Sequence, residues 1–482
     1  MSSFIVALDV GTSSARALAF TTQGRQLGPI AQIPYEQTTS PDGGVECDAL
    51  QLLERVETCL TQLLQQVDGE VVGVGTSCFM HSLLCVNDAG EPQSGVLSWA
   101  DNRSRAHVAV LRELLDEDAA RARTGCPFHT SYWPAKLLWL RDTRPELFAQ
   151  PLKWMSFGEF LARRWCTQPR ASFSMASGTG VFDSQTLRWD DEMLSHLPIE
   201  ASQLSAPCDA NQALEPTGEL LARFPRLRGA KVFPAIGDGA CSNIGGGGAD
   251  ASVVALNAGT SGAMRVVLPG FSDAPPRGLW RYRVDARRSL VGGALSNCGN
   301  ALAWARATFA LPADWQAQVA ALAPGAHGLT LLPFLAGERA PLWNPNVHLA
   351  LAGATLHTTP VEIMRALLEA LSLRYRAIWE LLRPLAPSAG LVYSGGALEH
   401  VPAWAPLLCD ALGEPLGSSR EAEASARGAA VLALEALGLV PDAATLGWER
   451  GETLRPDANH SARYKALLDE QTALLAKVYG AV

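Results

Sequence analysis

Apolar and polar positions repeat along the chain in a way that marks two related halves. Residues 4–10 are an apolar run, Gly11-Thr12-Ser13 form a small polar loop, and residues 15–20 are apolar again. The same order returns at 253–257, Gly259-Thr260-Ser261 and 262–267. The two copies stand about half of the 482-residue chain apart. Each predicts a β-hairpin with a glycine-hydroxyl tip. Further strand patterns fall at 71–76, 83–86, 95–98, 232–236, 290–293 and 390–393. Helical periodicity covers 48–66, 104–115, 158–166, 300–309, 360–382, 401–412, 422–437 and 461–478. Strands and helices mixed in two similar halves predict an α/β protein with a sheet in each half and an interdomain cleft. A glycine run at 245–248 sets the boundary, giving domains 1–244 and 245–482. That run reads either as a flexible linker or as a hinge or close-packed helix start beside the cleft.

Composition narrows the partners. The net charge of −9 and the lack of a basic block argue against nucleic acid or an anionic membrane surface. No apolar run is long enough to span a bilayer. The N-terminus enters a strand at once and carries Asp9, unlike a signal peptide. The ten cysteines show no C-x-x-C and no metal-ligand spacing, which predicts reduced thiols in a cytoplasmic protein. A small molecule is the expected partner, and a homodimer stays open.

Glycine-hydroxyl tips between strands offer backbone N–H groups and hydroxyls to an anion, most often a phosphate. Two of them suggest two domains gripping one nucleotide. Asp9 ends the first strand, where the second copy has Asn257, so a cation such as Mg²⁺ is expected at the first tip alone. Asp238, between Gly237 and Gly239 after an apolar strand, is the candidate base for an attacking hydroxyl. Gly395-Gly396-Ala397 form a third glycine loop between a strand and a helix, suited to close approach of a ligand. Met80-His81-Ser82 and Trp99-Ala100-Asp101-Asn102-Arg103 supply an aromatic wall with donors and acceptors, which suits a polyhydroxylated ligand.

Taken in order, these loops resemble the FGGY carbohydrate kinases over essentially the whole chain. The resemblance extends to Lys136-Leu137-Leu138-Trp139-Leu140, Ala176-Ser177-Gly178-Thr179-Gly180 and the segment from Leu335 to Trp343. It implies an actin-like, ribonuclease H-like ATPase fold whose two domains close on a sugar and ATP·Mg²⁺. Residues 1–244 would then form the sugar-binding domain and 245–482 the nucleotide-binding domain. Asp9 would stand near the metal, and Thr12 and Ser13 near the transferred phosphate. Gly259 and Thr260 would hold phosphates from the second domain, while Gly299, Gly396, Ala397 and His400 would line the nucleotide. Asp238 matches the catalytic base, and His81, Trp99, Asp101 and Asn102 lie on the substrate side. The Met80-His81-Ser82 and Trp99–Arg103 combination is most similar to the gluconate kinase branch, with a xylulose/ribulose-type ketose kinase or a polyol kinase of the same family as the alternative. A sugar acid needs a cationic partner, for which Arg103, Arg105 and His81 are candidates. The segment 129–133 departs from the gluconate-type pattern, and Ala354 and Leu367 depart from the second family signature. A non-catalytic sugar or nucleotide sensor and a protein-directed ATPase are the rival classes.

Overall fold

The computed structural model describes residues 3–271 and 273–480. Two mixed sheets organise them. In the first, strands Lys231–Val232, Glu70–Cys78, Ser3–Val10, Ser14–Thr21 and Gln26–Pro34 stand in that order, and Ile236–Gly237 also pairs with Glu70–Cys78. In the second the order is Trp280–Arg283, Arg288–Leu295, Gly262–Pro269, Val253–Ala258, Gly390–Ser394, Leu416–Ser419 and Arg450–Leu454. The central strands behave alike. Ser3–Val10 makes a hairpin with Ser14–Thr21 and a parallel pair with Glu70–Cys78. Val253–Ala258 makes a hairpin with Gly262–Pro269 and a parallel pair with Gly390–Ser394. The repeated sequence is therefore a repeated sheet topology.

Ser3–Val10 is apolar on both faces because both are covered. Phe4, Val6 and Leu8 pack with Leu52, Val56, Leu60 and Leu63 of the helix Ala49–Gln66. That helix is started by Asp48, whose carboxylate accepts the Gln51 N–H at 2.8 Å. Ile5 and Ala7 meet Ala426, Ala430 and Ala433 of the helix Ala424–Ala436. This helix comes from the second half of the sequence yet covers the first sheet. It crosses the helix Asp238–Gly245 with almost no space. A Cβ on Gly428 would stand 1.9 Å from the Cys241 carbonyl oxygen, and one on Gly245 would stand 1.8 Å from that of Ala424. Gly245 thus serves close packing rather than a loose linker.

Between Cys78 and Lys231 the chain builds a lobe with its own core, including Leu83, Phe128, Trp133, Leu137, Trp154 and Phe182. This lobe carries the loops after His81 and Trp99. Some local expectations differ from the structure. The strand expected at 232–236 is two short pieces, because Pro234 interrupts it. The helix expected at 401–412 starts at Trp404, after Pro402, and Gly396–His400 is a separate short helix. Gln26–Pro34 is an exposed edge strand whose one buried residue is Ala31, so its sequence carries little strand signal. No described helix is long and apolar enough to cross a membrane. All ten cysteines are buried and free.

The helix crossing yields a test. Alanine is the better helix former, but at position 428 its methyl collides with the Cys241 carbonyl. Gly428→Ala should cost about 1–3 kcal/mol, read as a drop of several degrees in melting temperature. An unchanged melting temperature would mean that the two helices do not pack this tightly.

Candidate active site

The strands Glu70–Cys78 and Ile236–Gly237 are parallel neighbours, so both chains leave the sheet at one edge. There the first continues into Met80-His81 and the second into Asp238, the opening residue of the helix Asp238–Gly245. These residues, with Thr12, Trp99, Ser131 and Tyr132, form one side of a cavity of about 170 Å³. The second half supplies the other side through Ser261, Arg265, Trp280, Tyr282, Arg339 and Trp343. The walls are joined directly. Tyr132 and Tyr282 share a 2.6 Å hydroxyl–hydroxyl hydrogen bond. The Arg281 N–H donates to the Gly125 carbonyl at 3.0 Å, and the Arg283 N–H donates to the Ser177 hydroxyl at 2.8 Å.

Burial pushes the Asp238 carboxyl above its ordinary value. Arg265, the Gly239 N–H at 2.8 Å and Arg339 pull it back. A partly compensated carboxylate of this kind suits proton acceptance from a bound hydroxyl. His81 has φ of 66°, a conformation that is strained for a residue with a side chain. Its Nδ1 lies 2.5 Å from the Gly178 carbonyl oxygen. Burial lowers its pKa to about 3, so the ring is neutral near pH 7. Nδ1–H must then donate to Gly178, which leaves Nε2 as an acceptor. The rings of Tyr132 and Tyr282 stand edge-on to His81 at 5.1 and 5.5 Å.

Arg339 stacks over Trp99, with the guanidinium carbon 4.6 Å from the ring centroid. Burial brings its pKa down to about 10 and lowers that of Arg265 as well. The Nε atoms of both arginines lack a hydrogen-bond partner. Neither arginine stood out in the sequence as a ligand. Arg265 lies in the strand that follows the second Gly-Thr-Ser tip, and Arg339 lies in the 335–343 segment, whose resemblance gave it no role.

Asp101 and Asn102, expected on the substrate side, are not among the cavity's lining residues. Asp101 is fully buried. It accepts the Val45 N–H at 3.0 Å and the Arg103 guanidinium at 2.6 Å. Arg103 also reaches Glu46 at 2.8 Å and lies over the Trp139 ring. Asn102 accepts the Thr130 hydroxyl at 2.8 Å. The polar groups of this loop are bonded within it and to Val45, Glu46 and Thr130. Arg105 sits outside the cavity, bonded to the Asn102 carbonyl at 3.4 Å. The charged guanidinium groups that line the cavity are those of Arg265 and Arg339, beside a His81 ring that burial keeps neutral.

A second chamber of about 300 Å³ joins Asp9, Arg16, Asn257, Ser394, Gly396 and Glu423. Burial raises Asp9 to about 6, against opposing pulls from the neighbouring Ser77 hydroxyl and Arg16. Arg16 is 3.9 Å from Asp9 and is itself held by Glu423 at 2.8 Å. Among the described residues no group of three or more His, Cys, Asp or Glu is arranged for a metal. Asp9 alone fits a hard divalent cation that keeps waters and takes phosphate oxygens. A third space of about 470 Å³ is an apolar slot lined by Gly259, Thr260, Gly299, Gly396, Ala397 and His400. The six residues expected near the nucleotide's phosphates and base in the second half meet there. Gly299 is held by its N–H to the Gly259 carbonyl at 2.9 Å, and a Cβ on it would stand 2.5 Å from that oxygen. Thr12 reaches the first cavity instead, and Ser13 is exposed at its tip with its carbonyl accepting the Tyr35 N–H.

Sequence profiles of the FGGY family of carbohydrate kinases match this chain, the N-terminal domain over residues 4–245 and the C-terminal domain over 254–437. A gluconokinase of Bacillus licheniformis is 26% identical over 487 residues, covering 97% of this chain and 94% of that protein. The solved structure of a ligand-bound xylulose kinase from Lactobacillus acidophilus aligns at TM-score 0.91 and 28% identity, covering 99% of both chains. A gluconate kinase from the same organism aligns at TM-score 0.90 and 27% identity, covering 100% of this chain and 99% of that one.

The Asp9 carboxylate makes a pH-dependent prediction. Its folded pKa of about 6 lies above its ordinary 3.8. Its contribution to stability is present below the lower value and is lost as pH rises through about 6. Asp9→Asn should therefore stabilise the ligand-free protein at pH 7, by on the order of 2 kcal/mol. The gain should shrink towards pH 4. Melting curves at pH 4–8 check this; a destabilised variant at pH 7 would show that Asp9 is firmly paired instead.

Proposed function

Because the chain belongs to the FGGY family of carbohydrate kinases, we propose that it phosphorylates the terminal hydroxyl of an open-chain sugar acid with ATP, D-gluconate to 6-phosphogluconate being the first candidate. The charge balance of the first cavity carries this reading. Arg265 and Arg339 face one carboxylate, Asp238. With a neutral ketose or polyol bound, only the phosphoryl group in transfer would be left to balance the second cation. A substrate carboxylate would neutralise it, and a guanidinium binds a carboxylate through two parallel hydrogen bonds. Arg339 is the better candidate for that carboxylate, because it stacks on Trp99 of the sugar wall, whereas Arg265 mainly offsets the burial of Asp238. The relatives named gluconokinase and gluconate kinase support the same choice. The xylulose kinase alignment keeps a ketose as the second reading.

The roles follow from placement. Trp99 offers a flat face to the C–H surface of the chain, and His81 Nε2 accepts a hydrogen bond from a substrate hydroxyl. Asp238 takes the proton of the attacking hydroxyl or orients its oxygen for in-line attack. Backbone N–H groups at the Thr12 and Ser261 tips stabilise charge on the phosphoryl group in flight. The nucleoside occupies the slot between Gly299, Gly396, Ala397 and His400. Mg²⁺ held at Asp9, largely through water, would supply positive charge to the phosphates. The contacts of Tyr282, Arg281 and Arg283 across the cleft exclude water, the competing acceptor. The ten buried free thiols suit a cytoplasmic enzyme.

Two experiments test this. In a coupled ADP-release assay with gluconate, xylulose, ribulose, erythritol and glycerol, gluconate should give the highest kcat/KM. A ketose ahead of gluconate would overturn the sugar-acid reading, and turnover without any sugar would overturn the sugar-kinase reading. In the same assay Asp238→Asn should lose about 10²–10⁴ in kcat while still binding ATP. Near-normal turnover would remove Asp238 from the role of base.

A further inference from the structure

Lys136 is fully buried in the first lobe and takes no part in the chemistry above. Its Nζ donates to the His81 carbonyl at 3.0 Å, the Ser98 carbonyl at 2.8 Å and the Ser131 carbonyl at 2.9 Å. These acceptors belong to three separate loops. His81 lines the cavity itself, Ser98 precedes Trp99, and Ser131 lines it and precedes Tyr132. An ammonium has three N–H donors, and all three are used. The lysine comes from the helix Trp133–Thr143, which is anchored by the Trp133 indole N–H to the Ser82 carbonyl at 2.9 Å. The knot is tightened by the Ser131 hydroxyl, which donates to the Trp99 carbonyl at 2.9 Å.

We propose that Lys136 is a positioning residue for the sugar side of the site: its ammonium ties the His81, Trp99 and Tyr132 loops into one wall. His81 would otherwise relax from its left-handed backbone, and Trp99 would lose the orientation that lets Arg339 stack on it. The nucleotide slot receives nothing from Lys136, so the effect is confined to the sugar. The clamp needs the charged form, because a neutral amine has two N–H groups for three carbonyls. Burial lowers the Lys136 pKa to about 7, with Asp101 opposing the fall and Arg103 adding to it. His81 and His129 beside this knot are held neutral by burial, as is the Tyr132 hydroxyl, and the Arg339 charge acts on both histidines. Raising the pH through neutrality should therefore loosen the wall.

The inference rests on the first cavity being the sugar site, and two kinds of readout separate the two ideas. Hydrogen exchange needs no sugar. Lys136→Met should raise exchange in segments 79–83, 97–102 and 129–133 together, about tenfold or more, and leave 257–261 and 297–301 unchanged. In turnover assays its sugar KM should rise at least tenfold, on the scale of losing a charged hydrogen bond, with the ATP KM within twofold. Propylammonium added to Lys136→Ala should recover part of the sugar KM. In the unmutated protein the sugar KM should rise between pH 6.5 and 8.5 while the ATP KM stays flat, which tests the clamp even where the variants fail to fold. Unchanged exchange in the three segments, equal effects on both KM values, or a flat sugar KM across that pH range would each overturn the proposal. Altered exchange in a protein that turns over no sugar would instead leave the clamp standing and remove the sugar site.

Discussion

Parallel pairing at the centre of each sheet is the constraint from which the rest follows. Parallel strands end at the same edge, so residues far apart in sequence are delivered to one place. In the first sheet Asp9 lies opposite Ser77, and Ile236 lies opposite the same Ser77. The edge therefore collects Asp9, the Met80-His81 loop and Asp238. In the second sheet Asn257 lies opposite Ser394. That edge collects the Gly259-Thr260 tip and Gly395-Gly396. The helix Ala424–Ala436 and the helix Asp238–Gly245, packed through Gly428 and Gly245, bring the two edges to face each other.

The two edges carry different charges. Asp9 is a buried carboxylate held up to about 6 by its surroundings. Its counterpart Asn257 keeps the neighbouring serine, donating to the Ser394 hydroxyl at 3.3 Å, without any ionisable group. An amide there satisfies its local partner and carries no charge to offer a cation. A carboxylate costs stability until a cation arrives. The asymmetry leaves an ionisable group at the first tip where the second tip has a neutral one.

Much of this was legible in the sequence because glycine, threonine and serine between apolar runs have few other uses. The repeat gave the two sheets, and the glycines at 259, 299 and 396 meet in one slot. Asp101 and Asn102 bond to neighbouring protein groups, and a turn held in that way uses the same residue types as a turn that binds a ligand. Arg265, Arg339 and Tyr282 carry no local signal. An arginine in a strand or loop reads as a surface charge until the fold encloses it. The edge strand Gln26–Pro34 was invisible for the opposite reason, since exposure removes the alternation that marks a half-buried strand. Side chains on the repeated strands could be foreseen, whereas those that complete the cavity from across the cleft depend on closure.

The central claim is that the enclosed cavity has an unmet positive charge intended for a substrate carboxylate. Gluconate and glucitol differ in that one group, a carboxylate in one and a hydroxymethyl in the other. Calorimetric titration of each into the ligand-free protein isolates it. The account predicts that gluconate binds about 10–100-fold more tightly, with most of the difference lost in Arg339→Gln. Equal affinities for the two ligands would contradict it.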